Sequence, residues 1–158
     1  MRPTTENELT DLFRATIVAL APRVTYKGAE GWKPYNRENA NASTTRRFRF
    51  LWSFVGIVPG GAMAGSAIEV ASTLRIRTDY TGDNDRAQFC VIDDALQLQD
   101  VLSALKSGGT DHGLVLVTWQ ASDIASDVDP STDSPTETDD TIRVDHTFEI
   151  RYIRRLQL

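Results

Sequence analysis

The sequence predicts an α+β fold: two amphipathic helices packed on a mixed or mostly antiparallel β-sheet, with long loops and a long C-terminal strand. Three observations lead there. Leu9, Leu12, Phe13, Ile17 and Leu20 recur at helical spacing, and Leu98, Val101, Leu102 and Leu105 repeat it. The segments around Phe48–Phe54, Leu74–Tyr80 and Ile142–Tyr152 alternate apolar and polar residues. Spacings of three to four residues belong to a helix and alternation belongs to a half-buried strand.

Thr5-Glu6-Asn7-Glu8 matches a capping box, in which a Thr hydroxyl and a Glu carboxylate satisfy free amides at a helix start. Pro22 is expected to end that first helix, because residues before proline avoid the helical region. Residues 27–45, with Gly28, Gly31, Pro34 and the polar run Asn36–Thr45, read as a long loop, with one short strand near Val24–Tyr26. In the first clear strand Phe48, Phe50, Trp52 and Phe54 share a face while Arg47 and Arg49 point the other way. Gly56–Gly65, with Pro59-Gly60-Gly61, is expected to break the pattern, and Thr81-Gly82-Asp83-Asn84-Asp85 to form a turn.

Phe89–Ile92 reads as a short strand leading into the second helix. That helix is expected to start at Asp93 or Asp94 as N-cap, with Gln97 completing a capping box. Lys106 and Gly108-Gly109 suit its end. Leu114–Trp119 reads as a buried strand, and Ser122–Asp140, rich in Ser, Thr and Asp with Pro130 and Pro135, as an exposed loop. Thr141–Arg154 then alternates without a break and would extend about 47 Å as a strand. It pairs with the segment ending at Trp119 as a hairpin with a long tip.

At 158 residues the chain fits one domain, residues 1–158, large enough to hold itself together by burial. No stretch approaches the roughly 20 apolar residues of a membrane-spanning helix. Arg2 and the polar run Thr4–Glu8 do not read as a secretory leader. The single cysteine, Cys90, cannot form an intramolecular disulfide, so cytoplasmic folding is expected. A net charge of −5 argues against general affinity for nucleic acid. Seven carboxylates (Asp123, Asp127, Asp129, Asp133, Glu137, Asp139 and Asp140) and no Lys or Arg lie within 122–140. Taking −7 from −5 leaves the remainder at about +2. Fourteen of the 17 basic residues are Arg, whose planar fork suits ion pairs between protein surfaces.

Residue types that carry chemistry are sparse. His146 sits on the apolar face of the last strand and reads as a packed core residue, and neither it nor His112 has partners at metal-ligand spacing. Cys90 reads as a small buried hydrophobe. Pro59–Gly65 lacks the Gly-Lys-Ser/Thr ending of a phosphate-binding loop, and the acidic segment lacks a calcium-loop spacing. No catalytic residue, cofactor or metal site is expected. Arg47, Arg49, Arg75, Arg77 and Arg151 line one sheet face if their strands are neighbours. Asp79, Asp145 and Glu149 then oppose them within the sheet, or acidic groups of a second subunit do.

The order of elements resembles the tail terminator and neck proteins of long-tailed bacteriophages. The capped N-terminal helix, the strands, the helix near Asp93–Leu105 and the ending Phe148-Glu149-Ile150-Arg151-Tyr152-Ile153-Arg154 carry the resemblance. It implies a structural virion protein of the neck, assembled in the host bacterial cytoplasm. There it forms a homo-oligomeric, expectedly hexameric, ring that caps the tail tube and meets the head connector and stopper proteins. Trp32, Tyr35, Arg47, Arg49, Arg75, Arg77, Glu149 and Arg151 are the candidate subunit-interface residues. The acidic loop is the candidate lumen- or partner-facing segment, past which DNA moves without specific binding. A tail tube or minor tail subunit is the near alternative, and a small-ligand-binding or regulatory domain the alternative from another class.

Overall fold

The computed structural model describes residues 3–24, 31–36, 45–58, 67–81, 84–105, 113–124 and 141–155. Helix α1 spans Glu6–Val18, strands follow at β1 (Lys33–Pro34), β2 (Thr45–Ile57) and β3 (Ala67–Thr81), then helix α2 (Asn84–Ser103), β4 (Leu114–Ile124) and β5 (Thr141–Arg155). The strands form one mixed sheet in the order β1-β2-β3-β5-β4, with only β1–β2 parallel. The expected α+β class and long final strand are both present. No helix among the described residues is long and apolar enough to cross a membrane.

Both helices lie on one sheet face. On α1, Leu9, Phe13 and Ile17 fall four residues apart and are buried. Thr5 is the N-cap, its side chain accepting from the Glu8 amide at 3.3 Å. Glu8 does not reach back to that residue's amide; its carboxylate accepts from the Thr4 hydroxyl at 3.0 Å. The helix stops at Val18, ahead of Pro22, and Leu20 packs on the core from beyond its end. Phe13 stacks on Trp52 with ring centroids 6.3 Å apart, and Trp52 donates its indole N–H to Thr10 Oγ1 at 2.9 Å. Tyr152 donates to Glu6 at 2.9 Å, which ties the start of α1 to β5. Burying each such aliphatic or aromatic side chain contributes about 1.5–3 kcal/mol.

Helix α2 overturns one expectation. It is 20 residues long and runs straight through Phe89–Ile92, Asp93 and Asp94, so there is neither a strand before it nor an N-cap at those aspartates. Cys90, Asp94, Leu98 and Leu102, each four residues after the last, form its buried stripe. A polar residue inside the stripe mimics a cap in sequence but is here a core group with a specific partner. Gln97 instead donates to the Ala21 carbonyl at 2.9 Å. Asn84 and Asp85, expected in a turn, belong to the first turn of α2, whereas Lys106 and Gly108-Gly109 lie outside the described residues.

Two further boundaries move. Gly56 and Ile57 continue β2, because a register shift between Phe54 and Gly56 lets the strand bend without ending. Val24 is not in a strand, and positions 25–30 lie outside the described residues, as do 59–66. The short parallel strand is Lys33–Pro34 instead, inside the expected loop.

Candidate functional site: a buried polar chain, an arginine-rich sheet face and a groove along β2

Alternation along β2 places Arg46 on the same face as Phe48, Phe50 and Trp52, and there Arg46 and Asp94 meet with both side chains fully buried. Arg46 Nε lies 2.9 Å from Asp94 Oδ2, and a second guanidinium nitrogen donates to the Val24 carbonyl at 2.8 Å. The guanidinium also lies over Trp32, 5.4 Å from its ring centroid. Burial pushes the Asp94 carboxyl up to about 6, Arg46 and the Tyr80 hydroxyl hold it down, and neighbouring Asp93 adds to the rise.

From Asp94 the hydrogen bonds continue through the core. Tyr80 donates to Asp94 Oδ2 at 2.8 Å and stands 3.5 Å from His146 Nε2, while His146 Nδ1 is 2.8 Å from Ser122 Oγ. Trp119 donates its indole N–H to the same Ser122 oxygen at 3.0 Å. Counting donors fixes the directions. The Tyr80 proton goes to the carboxylate, so His146 carries its hydrogen on Nε2, and Nδ1 accepts from Ser122. Burial lowers the His146 pKa to about 4, with Asp145 opposing weakly, so the ring is neutral at pH 7.

A Ser–His contact of this length invites a hydrolytic reading, and the surroundings count against it. A base held near 4 takes a proton poorly at neutral pH, and Ser122 is already engaged by Trp119. Burial also pushes the Cys90 thiol up, with Arg46 opposing, which leaves it a thiol packed against the Val24 carbonyl. The chain of groups is suited to fixing α2 on the sheet. His146 is thus the packed core residue its position predicts.

The opposite sheet face carries the predicted arginines. The register sets Arg47 beside Asp79, Arg49 beside Arg77, Leu51 beside Arg75, and Arg77 beside Asp145. Arg77 forks onto Asp145 at 2.9 and 3.1 Å. Asp79 receives Arg143 at 3.2 Å and Arg47 at 3.7 Å, and Arg151 lies 3.7 Å from Glu149 on its own strand. The carboxylates of the sheet therefore oppose most of these arginines. Arg49 and Arg75 have no carboxylate within ion-pair distance among the described residues. Of the other candidate interface residues, Tyr35 is exposed and carries Arg47 and Arg49 over its ring at 5.4 and 5.3 Å. Trp32 is corrected: at 3% exposed it is a core residue, edge-on to Phe48 and under Arg46. Asp123 is exposed at the end of β4, and Asp127, Asp129, Asp133, Glu137, Asp139 and Asp140 lie outside the described residues.

An open groove of about 420 Å³ lies along β2, between α1 and the end of β1. Thr10 and Arg14 form one wall, Pro34, Tyr35 and Arg49 the other, and Phe48, Phe50 and Trp52 the floor. Sequence reasoning misses it, since it depends on how far β1 runs along β2. No group of three or more His, Cys, Asp or Glu placed to hold a metal occurs among the described residues. No protein-family model matches the chain, and neither does any curated protein.

Proposed function

We propose that this chain is a structural, non-enzymatic subunit of a long-tailed bacteriophage, the tail terminator. In this reading its copies close into a homohexameric ring in the neck of the virion, after synthesis in the host bacterial cytoplasm. The ring caps the tail tube and joins it to the connector and stopper proteins, and no cofactor takes part. DNA passes nearby, and the acidic segment repels its phosphates.

One observation carries the reading. Large apolar side chains stay exposed at two opposite ends of the sheet. Phe54, Val55 and Ile57 stand at one end, and Phe89 and Ile92 on α2 with Ile124 on β4 stand toward the other. Exposed apolar clusters mark association surfaces. Two unlike sets of exposed apolar side chains toward opposite ends favour head-to-tail contact, which closes into a ring or runs on as a filament. The α+β sheet with both helices on one face is compatible with the resemblance in the sequence.

The test is the solution mass by light scattering at low and moderate salt, followed by electron microscopy of any oligomer. A discrete ring that binds the ends of purified tail tubes is the expected result. Open tubes would move the assignment to a tail tube subunit. A strict monomer that ignores tail tubes would overturn the proposal.

A further inference from the structure

Helix α2 carries apolar residues on two opposite sides. Its buried stripe is Cys90, Asp94, Leu98 and Leu102. Half a turn round the helix, Phe89, Ile92, Asp93, Leu96 and Asp100 make a second ridge, at the three- and four-residue spacings of one helical face. Phe89 is 71% exposed, Ile92 69% and Leu96 48%. The solvent side of a helix is ordinarily polar, and an apolar ridge there marks a surface that packs on another one. Asp100 shares its charge with Arg23 at 3.3 Å, whereas Asp93 has no ion-pair partner among the described residues.

A complementary surface lies on the far side of the sheet. Arg75 is exposed in the middle of the central strand β3, on the face turned away from both helices. Its cross-strand neighbours are Leu51 and Thr147, and the next row holds Ser53, Thr73 and Glu149. Ala121 and Thr118 of β4 extend these two rows. Apart from Glu149, the side chains around Arg75 in these rows are small or apolar, so a helix can come close without desolvating many charges. The other arginines nearby are engaged: Arg77 forks onto Asp145, Arg151 lies against Glu149, and Arg49 lies over Tyr35. Arg75 has no carboxylate within ion-pair distance among the described residues.

Topology decides which copy joins the two surfaces. The α2 ridge and Arg75 are on opposite sides of the molecule, with the sheet and the buried side of α2 between them. A chain cannot bring Asp93 to its own Arg75, and a second copy can. Each copy owns one of each surface, so the contact is heterologous and repeats from copy to copy.

We infer that the ridge Phe89, Ile92 and Leu96 of one copy packs on the exposed sheet face around Arg75 of the next, with Asp93 set against Arg75. This rests on the assembly reading only in supplying a neighbouring copy, and it names the surfaces that meet. Apolar burial gives the affinity, and the charge pair fixes how the helix lies on the strands. The sheet is then covered by helices on both faces, its own on one and the neighbour's on the other.

Charge reversal tests the inference, with the mass of the full chain read by light scattering over a range of concentrations. Arg75→Glu and Asp93→Arg each put like charges together and should weaken assembly at least about tenfold. The double variant restores an opposite pair and should assemble again, as should an equimolar mixture of the two single variants. Phe89→Ser with Ile92→Ser should also weaken assembly about tenfold or more. An oligomer of unchanged mass in both single variants, or no recovery in the double variant and the mixture, would overturn the inference; the first leaves a ring standing without it. Short duplex DNA that binds the wild type and not Arg75→Glu, while the oligomer is unchanged, would assign the face to nucleic acid and overturn it too. Charge-dependent oligomers that ignore tail tubes would uphold the inference while the terminator reading fails. A wild type that is monomeric throughout would overturn both.

Discussion

Replacing Asp94 by Asn and His146 by Gln should tilt the pH dependence of stability in opposite directions. Asp94 titrates at about 6 in the folded chain against an ordinary 3.8, so the folded state binds its proton more readily. Its contribution is fully present below pH 3.8 and is lost as pH rises through 6. His146 titrates at about 4 in the fold against 6.5, so the unfolded state binds that proton more readily. Its contribution is present above 6.5 and is lost as pH falls through 4. Between pH 7 and pH 4, integration gives the wild type a gain of about 2 kcal/mol from Asp94 and a loss of about 3 kcal/mol from His146. The two nearly cancel. Urea unfolding at pH 7, 5.5 and 4, followed by tryptophan fluorescence, reads the difference from wild type, in which other titrating groups drop out. Asp94→Asn should lose about 2 kcal/mol more, relative to wild type, at pH 4 than at pH 7. His146→Gln should gain about 3 kcal/mol over the same interval. Curves that stay parallel to wild type would refute the burial argument for both groups.

Arg46→Met leaves the buried Asp94 carboxylate without its cation and should cost about 3–5 kcal/mol, whereas Arg46→Met with Asp94→Leu should recover most of that loss. Thermal or urea unfolding of the two single variants and the double one completes the cycle. Thr5→Ala removes the N-cap hydroxyl of α1 and should cost about 1 kcal/mol by the same assay. Leu98→Ala, in the fully buried stripe of α2, should cost about 2–5 kcal/mol. Cys90 should react with a thiol reagent at pH 8 only as fast as the native state opens, so urea below the unfolding midpoint should accelerate labelling.

The strands were legible because alternation is a local signal, and Thr141–Arg155 is the purest case. Helix α2 was half-legible. Its apolar spacing continues N-terminally through Cys90, but Asp94 interrupts the stripe with a residue type that sequence reasoning assigns to a helix start. Only the opposing strand explains it, since Arg46 lies 48 positions earlier and meets it through tertiary packing. The parity of Arg46 with Phe48 and Phe50 was the available clue. Trp32 misled for the converse reason: an aromatic inside an apparent loop reads as surface, yet two residues of β1 are enough to carry it under Arg46 and against Phe48. Arg49 and Arg75 could be placed on one face from sequence, but which arginines lack a carboxylate depends on register across three strands.

The order of the strands also constrains how the molecule is made. β3, at the middle of the sheet, pairs along its whole length with β5, and about 60 residues separate Thr81 from Thr141. A ribosome that has delivered residues 1–140 has exposed β1 to β4 and both helices, but not β5, the strand that joins β3 to β4. Local elements and the β2–β3 hairpin can form during that interval, while the Tyr80–His146 contact and the buried face of β3 must wait. Pairing across so long a separation slows folding and leaves strand edges open to other nascent chains. Neighbouring copies on one polysome would therefore meet before each has closed its own sheet.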